Sequence, residues 1–370
     1  MLTRGGMLRA AGFVVVVALA PFFAGQHWVM NALVFTAMYA ALASAWNLVG
    51  GYAGYPSLGH AAFFGIGAYA LAWKFPSGHV LSSGLTPFWF LPVIGVAAAL
   101  LAVPVAAIAM RTRTDVFAIV TITLLFVVQT LAYNLRSITD GAQGAGVAIP
   151  PFSAANFERP FYYAMAALLL VAMAISWYAL KSKFGLSLSA IRADEDKARG
   201  IGVRVTGVKL LAFSVSVGIA AMVGGVWAYY VGFVYPQFAV DPLVTIGMVL
   251  MTFLGGRGTL WGPVLGALIL VPAQQRLAYQ LGGSQFYLIA YAAVFLVIML
   301  VMPRGILPTL ADVRRRRMLA SHRSGDQGAS GATGHGDVAE SVGRKPHDHV
   351  ASLAVPAGTL RILGASERDR

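Results

Sequence analysis

Side chains that could do chemistry are few in this chain. Its 370 residues include 14 Asp and Glu, 7 His and no Cys. The missing thiol removes disulfides, thiolate zinc sites, iron–sulfur clusters and a cysteine nucleophile. Acid–base catalysis needs carboxylates and imidazoles near one another, and the sequence keeps them apart. Asp115, Asp140, Glu158 and Asp241 fall at the edges of apolar stretches or between them. Asp194, Glu195 and Asp196 share one polar loop, and the other seven acids lie beyond residue 310. His60 stands among apolar neighbours, which suits a packed or hydrogen-bonded imidazole better than a base. His322, His335, His347 and His349 are irregularly spaced in a polar tail, where a solvated segment is favoured over a metal site. Gly202 to Gly207 followed by Val208-Lys209 lacks the Lys-Ser/Thr pair of a phosphate loop, and no His-Glu-x-x-His helix occurs. The expectation is no enzyme, no cofactor and no metal. If this chain drives transport, the energy comes from another chain.

The elements that position these residues are apolar. The chain is 58% hydrophobic and 11% charged, under half the usual charged share of a globular domain, and its mean hydropathy is +0.73. That composition excludes a secreted disulfide scaffold, a cytosolic enzyme and a disordered protein. Windows long enough to approach a crossing of about 20 residues are 12–25, 28–49, 57–73, 88–110, 116–135, 161–180, 210–235, 243–256, 260–275 and 286–302. The fold class is therefore an all-α polytopic membrane protein with about ten transmembrane helices, some short or broken.

Loop charge orients them, because cytoplasmic loops collect Lys and Arg. With Arg4 and Arg9 inside, the inside segments hold Arg111, Arg113, the basic cluster from Lys181 to Lys209, Arg257, Arg304 and the run 314–317. The outside loops hold Lys74, Arg136 and Arg159, with Arg276 near the outer end of the ninth window. Both termini then lie in the cytoplasm. A signal-peptide reading of the first window, with Ala18-Leu19-Ala20 as the cleavage site, would put Pro21 after the cut and break the charge pattern, so an uncleaved helix is expected. Residues 1–310 form the membrane domain. Residues 311–370 form a basic juxtamembrane run and a disordered cytoplasmic tail. The pI of about 10.1 follows from loop charge, and nucleic acid is not an expected partner.

No carboxylate sits at the centre of a window, which weighs against a proton-coupled carrier. Small residues recur every fourth position at Ser57, Ala61 and Gly65, at Ala220 and Gly224, and at Ala221 and Gly225, a spacing that lets helices approach closely in lipid. Gly- and Pro-rich stretches at 50–56, 139–146 and 255–263 mark places where spans break. A broken span turns backbone polar groups toward a cavity, although an ordinary interfacial turn reads the same. Asn47, Ser57, His60, Thr139, Gly141, Gly255 and Gly256, at or beside these breaks, are the candidate substrate pathway.

Residues 181–209 form the longest loop between windows. The spacing predicts one helix over 187–199, with Leu188 and Ile191 on one side. Arg192 with Asp196 and Glu195 with Arg199 sit at i,i+4, pairs worth about 0.2–0.5 kcal/mol each. Gly200 and Gly202 would end it. A charged helix fixed under the membrane between two spans can transmit force from a soluble partner.

Arg192-x-Asp194-Glu195-x-x-Ala198-x-x-x-Gly202-Val203, followed by Lys209-Leu210-Leu211-Ala212-Phe213, resembles the coupling segment of permeases of branched-chain amino acid ABC importers, the LivM family. Ser57-Leu58-Gly59-His60-Ala61-Ala62-Phe63-Phe64-Gly65, Gly255-Gly256-Arg257-Gly258-Thr259-Leu260-Trp261-Gly262-Pro263 and Met302-Pro303-Arg304-Gly305 resemble further stretches of that family in the same order. Lys197 stands where the family often has alanine, and 139–144 matches its Thr-Gly-Gly stretch loosely. The resemblance implies a permease subunit in a bacterial inner membrane, without catalytic residues. Its implied partners are a second homologous permease, two cytoplasmic ATP-binding subunits, a periplasmic substrate-binding protein and membrane lipid. Arg192, Asp194, Glu195, Ala198 and Gly202 would couple it to the ATPases. Urea and short-amide importers have similar permeases, and an ion-coupled secondary transporter is the alternative outside this class.

Overall fold

Apolar segments in lipid must satisfy every backbone N–H and C=O internally, so helices are the expected solution. The computed structural model describes residues 4–23, 25–111, 114–280, 293, 296 and 305–310. Among these residues, six helical segments are long and apolar enough to cross a membrane: His27–Ala53, Thr86–Ala109, Val116–Asn134, Ala154–Lys181, Val205–Val231 and Pro236–Gly255. Their helices are α2 (His27–Trp46), α4 (Thr86–Ala109), α5 (Thr114–Asn134), α7 (Glu158–Lys181), α10 (Val205–Val231) and, for the last segment, the short α11 (Pro236–Ala239) followed by α12 (Pro242–Gly255). The first, third and ninth apolar windows are occupied by α1 (Arg4–Phe23), α3 (His60–Lys74) and α13 (Gly262–Gln280). The tenth window, 286–302, lies outside the described residues apart from Ala293 and Leu296, as do the 314–317 basic run and the tail. Among the described residues this polytopic membrane protein is helical apart from a two-residue antiparallel ladder, β1 (Ala145–Gly146) with β2 (Phe233–Val234), and an isolated bridge between Pro76 and Val147.

Helix α10 is the hub, packed against α2, α3, α4 and α7. Its glycines explain how. A Cβ on Gly224 would collide with the Phe64 carbonyl, and one on Gly67 of α3 with the Ala221 carbonyl. A Cβ on Gly225 would meet the ends of Leu91 and Ile94 on α4, and one on Gly218 would come within 2.9 Å of the Gly95 carbonyl. The small-residue spacing seen in the sequence is thus helix-to-helix contact, with one correction. Ser57 is not on the α3 face, because the helix begins only at His60. Gly224→Leu has no soft side chain to displace, only backbone. It is expected to cost at least the ~3 kcal/mol at the top of the usual overpacking range. Gly207→Ala, where nothing lies within 4 Å, serves as the neutral control, and thermal unfolding in detergent reads both.

The two ends of the bundle are closed differently. At one end the connections after α3, α6 (Arg136–Thr139) and α10 knit together: Ser77 N–H donates to Gly146 O at 3.0 Å and Ala148 N–H to Phe75 O at 2.9 Å. At the other end lie α8 (Lys183–Ala193) and α9 (Glu195–Gly200), the 47–59 segment and the 255–262 turn. Residues 305–310 join them, since Gly305 and Pro308 pack on Gly256.

Candidate functional site

The second span does not stop cleanly. After Trp46 the chain widens into a π-helix over Asn47–Ala53 and ends at Gly54, whose φ of 79° is left-handed. Gly50 and Gly51 permit the widening, because a Cβ at either would strike the Trp46 ring or the Asn47 amide. Pro56 then holds Tyr55 away from helical backbone, and α3 restarts at His60. Non-helical chain this deep is tolerated only where protein satisfies it. Leu58 N–H donates to Thr121 Oγ1 at 3.0 Å, Ala61 N–H to Thr245 Oγ1 at 2.9 Å, and Trp46 Nε1–H to Ser57 O at 2.8 Å. The break is therefore real, yet two of the backbone donors that could have faced a substrate are already engaged.

His60 is fully buried in this knot. Its Nε2 lies 2.7 Å from Ser216 Oγ and its Nδ1 3.0 Å from Ser57 Oγ. Ser216 Oγ donates to Ala45 O at 2.6 Å, which makes it the acceptor for an Nε2–H tautomer. The imidazole joins α2, α3 and α10, and both its nitrogens are used.

Asn47 reaches the other break. Its Nδ2 donates to Thr259 O and its Oδ1 accepts from Gly258 N–H, both at 2.9 Å. The side chain is thus a clasp across the turn that links α12 to α13. That turn needs its glycines: Gly256 and Gly258 have φ of 124° and 78°, and Gly255 lies against the Gly262 carbonyl. Arg257 beside them is pushed below its ordinary range by burial and by the Arg192 guanidinium.

The polar loop folds as two helices rather than the single one expected over 187–199. Asp194 breaks it by acting as an N-cap, accepting the N–H groups of Asp196 and Lys197 at 3.1 Å each. Capping satisfies donors that a continuous helix would pair differently. The predicted Arg192–Asp196 pair is consequently not formed. Arg192, though exposed, instead donates from Nη1 to Gly51 O at 2.9 Å, and Asp196 meets Arg199 at 3.7 Å. The predicted Glu195–Arg199 pair does form, at 2.6 Å. Leu188, Ile191 and Ala198 are buried against the bundle, and Gly202 closes the loop with φ 86°.

The Lys197 backbone N–H, more than any other contact, holds the Asp194 carboxyl below its ordinary range. Its contribution is then complete above the usual carboxylate pKa and is lost only as pH falls through the depressed value. Asp194→Ala is expected to fray α9, seen as faster amide exchange over 195–200. Asp194→Asn keeps the acceptor and the protection, and neither wild-type behaviour changes between pH 5 and 8.

Three elements converge on this loop. Arg192 runs between Gly54 and Gly258, whose missing side chains make room for it. Glu195 accepts from Lys209 Nζ at the base of α10 at 3.2 and 3.3 Å and also hydrogen-bonds the Tyr55 hydroxyl. Lys209 Nζ in turn lies 4.0 Å from the Tyr55 ring centroid. A polar cavity of about 430 Å³ opens beside these groups, walled by Tyr55, Arg111, Arg192, Asp194, Glu195 and Arg199 among others. Tyr55 and Lys209 were not among the candidate site residues; Lys209 entered only as an inside charge and as the first residue of the 209–213 stretch that resembles the family.

Thr139 and Gly141 stand elsewhere, at the closed far end. Thr139 Oγ1 donates to Ala132 O and Leu135 O at 2.7 and 2.8 Å, which ties off α5. The residue also borders an apolar groove of about 610 Å³ between α3 and α5. Gly141 has φ 62° and follows Asp140 at φ 55°. The seven pathway candidates therefore divide into an Asn47–Gly255–Gly256 group, a buried Ser57–His60 group and a distant Thr139–Gly141 turn.

Residues 28–303 match the model of the branched-chain amino acid transport system / permease component family. The chain belongs to this permease family. It is 29% identical over 307 residues to the high-affinity branched-chain amino acid transport system permease protein LivM of Salmonella typhimurium (strain LT2), across 74% of this chain and 68% of that protein. LivM of Escherichia coli (strain K12) gives the same figures. The autoinducer 2 import system permease protein LsrC of Photorhabdus laumondii is 35% identical over 110 residues, 28% of this chain and 32% of its own. No solved structure matches. The permease is thus an ABC importer component of the LivM type and a multi-pass membrane protein, in a transport family rather than an enzyme class. Membership implies ATPase and binding-protein partners.

Proposed function

We propose that this permease moves branched-chain or related amino acids across the inner membrane of a bacterium, driven by two cytoplasmic ATP-binding subunits. It pairs with a second homologous permease and takes its cargo from a periplasmic substrate-binding protein. The observation that carries this reading is the likeness to LivM across three quarters of the chain. Both termini are cytoplasmic on this reading, and the end bearing α8 and α9 faces the ATPases, in keeping with the Lys and Arg gathered there. Residues 1–310 are the membrane domain, 311–370 a cytoplasmic tail. The coupling segment is Arg192, Asp194, Glu195, Ala198 and Gly202 within 181–209. Asn47, Gly255 and Gly256 border the moving part of the pathway, with Ser57 and His60 behind them.

Autoinducer 2 import by a partial relative shows that cargo varies among similar chains, so urea or a short amide is the alternative within the same machinery. An ion-coupled carrier is disfavoured by the acids. Every carboxylate among the described residues lies in a connection or at a helix end. Affinity purification from mild detergent tests the class: a second permease and two ATPases are expected to co-purify, whereas a homo-oligomer without ATPase would overturn it. ATP-dependent leucine uptake, competed by isoleucine and valine but not by urea, is the expected outcome for the cargo.

A further inference from the structure

The geometry points to Glu195, through its carboxylate, and Arg192, through its Nη1, as positioning residues whose polar atoms are held by the permease and transmit motion, not as contacts to the ATPase. The inference rests on the coupling role proposed for α8 and α9, and it divides that loop into two faces. Glu195 sits among Lys209, Arg199 and Tyr55, with both carboxylate oxygens engaged. Lys209 is 1% exposed. Removing its carboxylate partner would leave a buried charge uncompensated, which is far worse than removing both members together. Arg192 remains an exposed residue, but its Nη1 is committed to Gly51 O through the slot between Gly54 and Gly258. The pair thus links α9 to the base of α10, to the π-helical end of the second span and, through Asn47, to the 255–262 turn.

The opposite face of the loop has what a soluble partner could grip. Ile201 is 76% exposed, Leu186 70% and the Lys197 side chain 87%. A push on that face reaches both chain breaks through the Arg192 and Glu195 contacts, without either residue touching the partner.

The test uses the complete complex in proteoliposomes, with two readouts: ATPase subunit retained per permease, and amino acid moved per ATP hydrolysed. Glu195→Gln and Lys209→Met should each lower transport per ATP by about tenfold or more while retaining ATPase, and the double variant should recover to within about threefold, since contacting residues couple strongly. Tyr55→Phe removes one hydrogen bond and no charge, so it supplies a variant that folds; a drop of about threefold is expected. Lys197→Glu with Ile201→Asp, on the outward face, should strip the ATPase from the complex. Loss of ATPase in Glu195→Gln, with no recovery in the double variant, would make Glu195 a docking residue and overturn the inference alone. Full ATPase retention and full uptake in the outward-face variant would overturn the coupling role of the loop, and the inference with it.

Discussion

Asn47→Leu is expected to abolish stable, transport-competent permease. The asparagine is buried, and its amide closes a two-way bond with the turn over 200 residues away: Nδ2 to Thr259 O, Gly258 N–H to Oδ1. Leucine is close in size but leaves a backbone carbonyl and a backbone N–H without partners. Each unsatisfied buried group costs about 1–3 kcal/mol, so a loss of about 2–6 kcal/mol is expected, a large part of the stability of a typical domain. Asn47→Asp keeps the acceptor, loses the donor and buries a charge, and it should also fail. Yield after size-exclusion chromatography, with the melting temperature in detergent, distinguishes this from a pure transport defect. Normal yield and uptake in Asn47→Leu would show that the clasp does not hold the two breaks together.

The second large effect is on coupling. Arg192→Ala empties the slot between Gly54 and Gly258 and leaves the Gly51 carbonyl without its donor. The residue sits at the end of α8, so the loop itself is still capped by Asp194 and anchored by Leu188 and Ile191. The expected result is a permease that assembles and supports ATP hydrolysis but moves little cargo. A coupling loss of about 1–3 kcal/mol corresponds to about 5–150-fold in transport per ATP. Arg192→Lys, which has a single ammonium in place of the planar fork, should fall between alanine and wild type.

The polar loop shows what local pattern can and cannot reveal. Arg192-x-x-x-Asp196 and Glu195-x-x-x-Arg199 have the same spacing, so both looked like pairs on one helix, yet only the second forms. Asp194 decides the matter, because its side chain competes for the N–H groups of the next turn. That competition was written in the sequence as a capping residue but was outweighed by the charge spacing. The small-residue ladders were legible for the opposite reason: close helix contact requires small residues whatever the partner, and Gly224 and Gly225 serve that purpose. The 50–56 stretch announced a break through its glycines and Pro56. The glycines there permit a π-helix without specifying one, and the capture of Leu58 and Ala61 by Thr121 and Thr245 could not be read because it depends on helices far away in sequence. Lys209 was hidden most thoroughly. It counted as an inside charge and as the start of a family-like stretch, whereas the fold buries it under Glu195 and Tyr55. The pathway candidates Thr139 and Gly141 were grouped with the others by composition alone, and tertiary structure separates them.

On the proposed function, ATP hydrolysed outside this chain moves it through the 181–209 loop to import a branched-chain amino acid. The most direct measurement is leucine uptake by the purified complex in proteoliposomes, with ATP enclosed on the ATPase side and binding protein on the other, comparing wild type with Arg192→Ala. Uptake that requires ATP, together with an Arg192→Ala complex that hydrolyses ATP while accumulating at least about fivefold less leucine per ATP, is the predicted result. Uptake by the permease alone under an ion gradient, or unchanged uptake per ATP in Arg192→Ala, would contradict it.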